Sequence, residues 1–355
     1  MLYQKLQKIF PPRRILRNQP LAVYSTIGIG GPAEYLVEAK TTPELTASVR
    51  VATENNFPWY ILGNGSNTLI SDEGFSGLVI VNKCEQVSIL KDLPKSIYTR
   101  YAINARLQQP NPEEFFTFSG LDYDENDQPV VCIQLDSGLK LQAAIYKLIS
   151  KGITGLQWFS GIPGTIGGAI FMNAHGGTKF ISDYFLSAVI IGKDGKVREE
   201  PWSYFKFGYD FSQLHYTREA IITATFELKR GDTSKAGNVA KEWARRKSLQ
   251  PQRSLGSTFQ NLTHETRDKL NLPTTSAGYI IDKILNLKGI KKKGNAIVSD
   301  KSANFIENLG GAKAIDVYEI IQEIKSEAKN KIGIDLIEEI QYLGNFNKSG
   351  IKPRN

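Results

Sequence analysis

Cysteine, histidine and methionine are scarce in this chain of 355 residues, which has two, three and two of them respectively. Cys84 and Cys132 make no C-x-x-C pair and no ladder of spacings, which excludes a disulfide framework and a cysteine-rich zinc site and suits a reducing compartment. His175, His215 and His264 fall in no spaced ligand motif, so no metal is expected. Long apolar runs are missing as well: no stretch reaches the ~18 residues of a membrane span. The opening Met1-Leu2-Tyr3-Gln4-Lys5-Leu6-Gln7-Lys8-Ile9-Phe10 lacks the unbroken apolar core of a leader. The expectation is a cytoplasmic protein, neither exported nor membrane-bound. The net charge of +8 is dispersed except at Lys291-Lys292-Lys293 and Arg245-Arg246-Lys247. No nucleic-acid partner is therefore expected, and a basic cleft for a small anion fits as well as a generally basic surface.

What is abundant is glycine, 31 residues of it. Gly161-Ile162-Pro163-Gly164-Thr165-Ile166-Gly167-Gly168-Ala169 packs small residues densely enough for a backbone to pass close to something bulky. Glycine tolerates positive φ and leaves amides uncovered, and successive amides form a concavity for a diphosphate. A buried glycine-rich crossing between strands is the competing reading. A second loop shifts the balance: Pro58-Trp59-Tyr60-Ile61-Leu62 reads as a buried strand running into Gly63-Asn64-Gly65-Ser66-Asn67-Thr68. Glycines there admit a ligand and the Ser and Asn side chains complete its hydrogen bonds, although an Asn-Gly hairpin turn also fits. Two such loops suit one extended dinucleotide better than two unrelated turns.

Gly28-Ile29-Gly30-Gly31-Pro32-Ala33 formally fits G-x-G-x-x-A, but that fingerprint must open a helix after a strand. Pro32 falls inside the turn and Glu34-Tyr35-Leu36-Val37-Glu38-Ala39 alternates like a strand. This is not a Rossmann loop.

Six segments occur in a telling order: Thr26 to Ala33, the Gly63 to Asn67 loop, the Gly161 to Ala169 loop with Asn173-Ala174 behind it, Gly256-Ser257-Thr258-Phe259-Gln260-Asn261, Ala277-Gly278-Tyr279-Ile280-Ile281-Asp282 and Leu336-Ile337-Glu338-Glu339-Ile340. Through them the chain resembles the UDP-N-acetylenolpyruvoylglucosamine reductases (MurB) from about residue 20 to residue 345. The resemblance implies an α+β protein whose FAD-binding domain is of the vanillyl-alcohol-oxidase (PCMH) type, followed by a C-terminal α+β substrate domain. It also implies non-covalent FAD, NADPH as hydride donor, a nucleotide-sugar substrate and a monomer acting in peptidoglycan precursor synthesis. His175 is accordingly an ordinary loop histidine rather than a covalent flavin anchor.

Length suggests two or three domains at ~100–200 residues each. The division expected is an N-terminal arm (1–19), a first FAD-binding subdomain (20–83), a second (84–229) with a surface insertion at about 84–130, and a substrate-binding domain (230–355). Thr42 before Pro43 and Glu44 predicts a capped helix, and Leu141, Ala144, Ile145, Leu148 and Ile149 predict another, ended by Gly152. Val189-Ile190-Ile191 and Ala220 to Phe226 read as strands. Lys229 to Lys235 reads as a linker, and Ile315, Ile320, Ile324 and Ala328 mark a helix stopped by Gly333.

Reduction of an enolpyruvyl ether needs hydride at one carbon, a proton at its neighbour, and stabilisation of the anion between them. By residue pattern alone Ser257 is a turn serine and Glu338-Glu339 a solvated pair whose side chains point to opposite faces. The resemblance makes Ser257 the proton donor and Glu339 the catalytic glutamate. It makes Tyr209 and Asn261 substrate-binding, and it assigns Gly63, Asn64, Gly65, Ser66, Asn67, Gly161, Ile162, Pro163, Gly164, Thr165, Gly167 and Gly168 to FAD. Two departures stand out. Asp210 occupies the place of an expected arginine after Tyr209, and Ser302 stands where a histidine is common. An aspartate cannot replace a cation. Arg218 or a lysine then takes that role, or the chain is another flavin oxidoreductase of the same fold, or a nucleotide-sugar-binding relative with reduced activity. Arg245, Arg246, Lys247 and Arg253 are candidates to receive the diphosphate.

Overall fold

The structure, a computed structural model, describes residues 2–93, 121 and 123–346. Helix α1 (Leu2–Leu6) precedes strands β1 (Ile15–Pro20) and β2 (Pro32–Ala39), helix α2 (Thr42–Glu54), and strands β3 (Trp59–Leu62), β4 (Thr68–Ile70), β5 (Phe75–Asn82), β6 (Val87–Leu93) and β7 (Val130–Asp136). Helices α3 (Leu141–Ile149) and α4 (Ile166–Phe171) lead to strands β8 (His175–Gly176), β9 (Lys179–Phe180), β10 (Phe185–Ile191), β11 (Val197–Pro201) and β12 (Ala220–Lys229). Then come helices α5 (Thr233–Ser248) and α6 (His264–Lys269), strands β13 (Lys292–Lys293), β14 (Ala296–Val298) and β15 (Ile306–Asn308), helix α7 (Ala314–Ile332) and strand β16 (Gln341–Leu343). Among the described residues no helix is long and apolar enough to cross a membrane.

The chain divides into two compact units, each discontinuous in sequence. One comprises Met1–Ile15, Val37–Gly63 and Ile80–Lys247, the other Leu16–Leu36, Asn64–Val79 and Ser248–Asn355.

The first unit is built on a five-stranded antiparallel sheet in the order β11-β10-β12-β7-β6. Its central strand β12 is rich in β-branched residues and alternates buried with half-buried positions along most of its length, the pattern of a sheet with one covered face. Leu141, Ala144, Ile145 and Leu148 of α3 supply the covering stripe, and Gly152 takes a φ of 73° just beyond the helix. The cap of α2 is Thr41, one residue before the expected Thr42; its hydroxyl accepts from the Glu44 amide at 3.3 Å. Part of the expected N-terminal arm packs within the first unit. Leu6 and Phe10 are 0% and 1% exposed, and Lys5 donates to Asn55 at 2.8 Å.

Of the expected insertion, residues 94–120 and 122 lie outside the described residues. Its described ends are integrated: β6 pairs with β7, Tyr123 stacks its ring 5.4 Å from Trp158, and Glu125 accepts from Thr154 at 2.6 Å.

In the second unit α7 packs into an apolar cluster with β14, β15, Phe259 and Leu336. The Asp72 carboxylate receives the Ala314 and Ile315 amides at 2.8 and 3.1 Å, placing a negative charge at the positive end of α7. Gly333, with φ 73°, ends it as expected.

Candidate active site

In the first unit the structure brings Gly63 against the second glycine loop: a Cβ on Gly63 would stand 2.8 Å from the Thr165 hydroxyl. That hydroxyl also caps α4 by accepting from the Gly168 amide at 3.3 Å. Among the described residues the amides of Gly164 and Thr165 have no acceptor. They are the kind of uncovered donors that an anionic group satisfies. The neighbouring amides are committed: Gly161 donates to Gln142 at 2.6 Å, Ile166 to Leu139 at 2.9 Å and Gly167 to Ser137 at 2.8 Å.

Several of these glycines are small because of the protein's own chain. A Cβ on Gly161 would lie 2.7 Å from Lys247 Cβ on α5, and one on Gly167 3.0 Å from Ser137 Cβ. In the second unit Gly65, at φ 58°, leaves room for the Tyr24 carbonyl, which a Cβ would approach to 2.2 Å. The second glycine loop is thus a close chain crossing with two uncovered amides left at its turn. Asn67, at the end of the first loop, donates its side-chain amide to the Glu339 carbonyl at 3.1 Å, and its own carbonyl accepts from Gln341 at 2.8 Å.

Ser257 is half-buried and follows Gly256, whose φ of 80° and open surroundings show that conformation, not crowding, requires glycine there. Directly after Ser257 the chain is fixed against the glutamate segment. Glu339 donates its amide to the Thr258 carbonyl and Gln260 donates to Ile337, both at 2.9 Å, around an antiparallel bridge between Phe259 and Glu338. Ser257 and Glu339 thus sit on two paired segments. The carboxylate of Glu338 is engaged by Lys325 of α7 and by the Tyr342 hydroxyl. Leu336 and Ile340 on the same side are 2% and 5% exposed, whereas Ile337, on the Glu339 side, is 57% exposed. Alternation therefore puts Glu338 toward the helix and Glu339 on the opposite, open face. Burial, reinforced by the Glu338 charge, drives the Tyr342 phenol far above its ordinary range. The oxygen of the Asn261 side chain accepts from the Ala277 amide at 3.2 Å.

Tyr209 stacks on His175 with ring centroids 5.3 Å apart. Asp210 follows in the left-handed region, with φ 49°, and its side chain is 3% exposed. Its Oδ1 lies 3.3 Å from His175 Nδ1, while Oδ2 has no hydrogen-bond partner among the described residues. Buried Asn173 fastens this turn by donating to the Gly208 carbonyl at 2.8 Å. Arg218 ends a short helical turn at φ 55°. Of the other basic candidates, Arg245 and Arg246 share the carboxylate of Glu242 at 2.7 and 2.8 Å, Lys247 packs on Gly161, and the Arg253 guanidinium lies beside Gly28.

Sequence reasoning missed Asn304, which is 8% exposed. Its side chain accepts from the Phe259 amide at 3.0 Å and donates to the Phe259 carbonyl at 2.8 Å; its own carbonyl accepts from Thr258 at 2.7 Å. An asparagine in Ser-Ala-Asn-Phe carries no signal that separates such a clamp from an ordinary turn.

Residues 249–343 match the family of the UDP-N-acetylenolpyruvoylglucosamine reductase C-terminal domain. The α+β fold is that of a solved UDP-N-acetylenolpyruvylglucosamine reductase from Thermus caldophilus, with a TM-score of 0.67 at 28% identity, covering 93% of this chain and 99% of that one. A reductase of the same name from Chlamydia felis is 31% identical over 335 residues, 94% of this chain and 95% of its own. One from Lachnoclostridium phytofermentans is 28% identical over 349 residues, 97% of each. The chain belongs to the UDP-N-acetylenolpyruvoylglucosamine reductase family of oxidoreductases.

Proposed function

We propose that the chain is an FAD-dependent, NADPH-linked reductase that converts UDP-N-acetylenolpyruvoylglucosamine to UDP-N-acetylmuramate. It would act as a cytoplasmic monomer in peptidoglycan precursor synthesis, and so in wall biogenesis and division. The observation that carries this reading is the pairing of the Ser257 and Glu339 segments through the Glu339–Thr258 and Gln260–Ile337 hydrogen bonds.

The residues fit a flavin dinucleotide: the uncovered amides of Gly164 and Thr165 suit its diphosphate. Gly63, Asn64, Gly65, Ser66 and Asn67, with Gly161, Ile162, Pro163, Gly164, Thr165, Gly167 and Gly168, would hold it without a covalent link. When bound, the flavin supplies hydride chemistry between NADPH and the enolpyruvyl group. Ser257 gives its hydroxyl proton to the carbon next to the one that receives hydride and is reprotonated from solvent. Glu339 hydrogen-bonds the developing anion. Tyr209 and Asn261 bind the nucleotide sugar, with residues 230–355 as the substrate domain and 20–229 holding the cofactor.

Two half-reactions test this. Ser257→Ala should leave flavin reduction by NADPH nearly intact and slow reoxidation by the enolpyruvyl substrate by roughly 10²–10⁴-fold. Equal loss in both halves would mean that Ser257 is structural. A protein that binds no FAD would overturn the assignment. Asp210, a buried carboxylate where a cation is expected, favours a second reading, a nucleotide-sugar-binding relative. That reading prevails if substrate binds to the flavin-loaded protein and never reoxidises reduced flavin.

A further inference from the structure

We infer that Asn304 is the positioning residue for the proton donor, acting on Ser257 through the backbone of Thr258 and Phe259. This rests on the reading of Ser257 as the acid. A serine hydroxyl is so weak an acid that it transfers a proton usefully only when held at the reacting carbon, so its rate depends on the placement of its own backbone.

The position before Ser257 contributes little to that placement. Gly256 is a left-handed glycine with nothing within 4 Å of its Cβ position. Constraint comes from the far side, where three hydrogen bonds converge from one residue. The Asn304 carboxamide closes on both the N–H and the C=O of Phe259, the pairing that a neighbouring strand would make, and the Asn304 carbonyl takes the Thr258 amide. The opposite edge of the same short segment is occupied by the Glu339–Thr258 and Gln260–Ile337 bonds. Asn304 therefore fills the role of a missing strand, so that the backbone directly after Ser257 is held on both edges. Its side chain is 8% exposed and is spent on main chain, so it has no need to touch the substrate. The Phe259 ring, 1% exposed, anchors the segment in the apolar core beneath.

The test is made on flavin-loaded protein with three variants, Asn304→Leu, Asn304→Asp and Asn304→Leu combined with Ser257→Ala. Asn304→Leu keeps the branched shape and removes both side-chain bonds. It should leave NADPH-driven flavin reduction and the substrate KM within a few-fold of wild type and lower the reoxidation rate by ~10²-fold, the scale of a misplaced reacting group. Asn304→Asp loses the donor to the Phe259 carbonyl when ionised and regains it when protonated. Relative to wild type, its reoxidation should recover as pH is lowered, and this variant carries the test if Asn304→Leu does not fold. In the Ser257→Ala background Asn304→Leu should cost almost nothing more, because the group it positions has gone. Multiplicative losses in the double variant, or equal losses in both half-reactions, would make Asn304 merely structural and overturn the inference. Full reoxidation by Ser257→Ala alone would instead overturn the reading of Ser257 on which it rests.

Discussion

The Tyr342 hydroxyl donates to Glu338 Oε2 at 2.6 Å, four residues back along the same extended segment, and Lys325 takes the other carboxylate oxygen. The two adjacent glutamates differ in setting. Glu338 ties its segment to α7, and alternation turns Glu339 to the opposite face. Glu338→Gln should keep reoxidation within a few-fold and cost about 1 kcal/mol of stability, the usual worth of a hydrogen bond to a charged group weakened to a neutral one. Glu339→Gln should slow reoxidation by ~10²-fold or more. Stopped-flow reoxidation and urea unfolding of the two variants check the assignment, and an interchange of their phenotypes would refute it.

Replacing Asp210 by the arginine expected at its position should damage the fold rather than improve catalysis. The side chain is 3% exposed, in a left-handed turn beside His175. A guanidinium there is buried without an anion, at a cost of roughly 3–5 kcal/mol by analogy with broken buried pairs. Asp210→Arg should therefore unfold at markedly lower denaturant than Asp210→Asn. A stable arginine variant that reoxidises faster than wild type would show that the site lacks only a cation.

Acid should destabilise the protein through His215. Its ring packs 4.1 Å from Phe171 and 5.2 Å from Phe211, and burial first, with the Arg218 charge also contributing, pushes its pKa down to about 4 from 6.5. The folded pKa is depressed, so the unfolded chain binds more protons between those values and stability falls as pH drops through that window. Above it the histidine is neutral in both states and contributes no pH dependence. Melting temperature measured from pH 7.5 to 4 should decline less steeply in His215→Phe than in wild type; identical slopes would exclude His215 as the cause.

Both cysteines should resist alkylation in the folded protein. They are buried, and burial is the first cause of the rise in each thiol pKa, to about 12 for Cys84. The thiolate is the nucleophile, so neutral iodoacetamide should label neither until denaturant is added. Intact-mass analysis before and after unfolding reads this directly.

Local features were legible from sequence where they obey a local rule. The α3 stripe, the left-handed glycines at 152 and 333, and the strand after Pro32 follow from periodicity and glycine stereochemistry alone. Of the linker expected at 229–235 only 230–232 connect the two elements, Lys229 ending β12 and Thr233 opening α5, because polar residues between two elements look alike whether paired or free. The glycine loops were visible, yet the reason for each glycine was not: Gly161 yields to Lys247 and Gly65 to Tyr24, partners remote in sequence. The serine and glutamate segments were found through resemblance. Which glutamate faces the helix depended on Lys325 and Tyr342, and no strand period contains that information.

Strand β16 pairs in parallel with β4, matching Gln341 with Thr68, Tyr342 with Leu69 and Leu343 with Ile70. A pairing between such distant segments has its loop-closure entropy to overcome before the contact stabilises it, which slows its formation. During synthesis β4 must wait, unpaired on that edge, until residues 341–343 have left the ribosome, and the Asn67 to Glu339 bond waits with it. The glutamate can meet the serine loop only after residue 339 has emerged, and until then the idle edge of β4 is exposed to pairing with other chains. Yield of active protein should therefore depend more on how quickly β16 docks than on how quickly the five-stranded sheet forms.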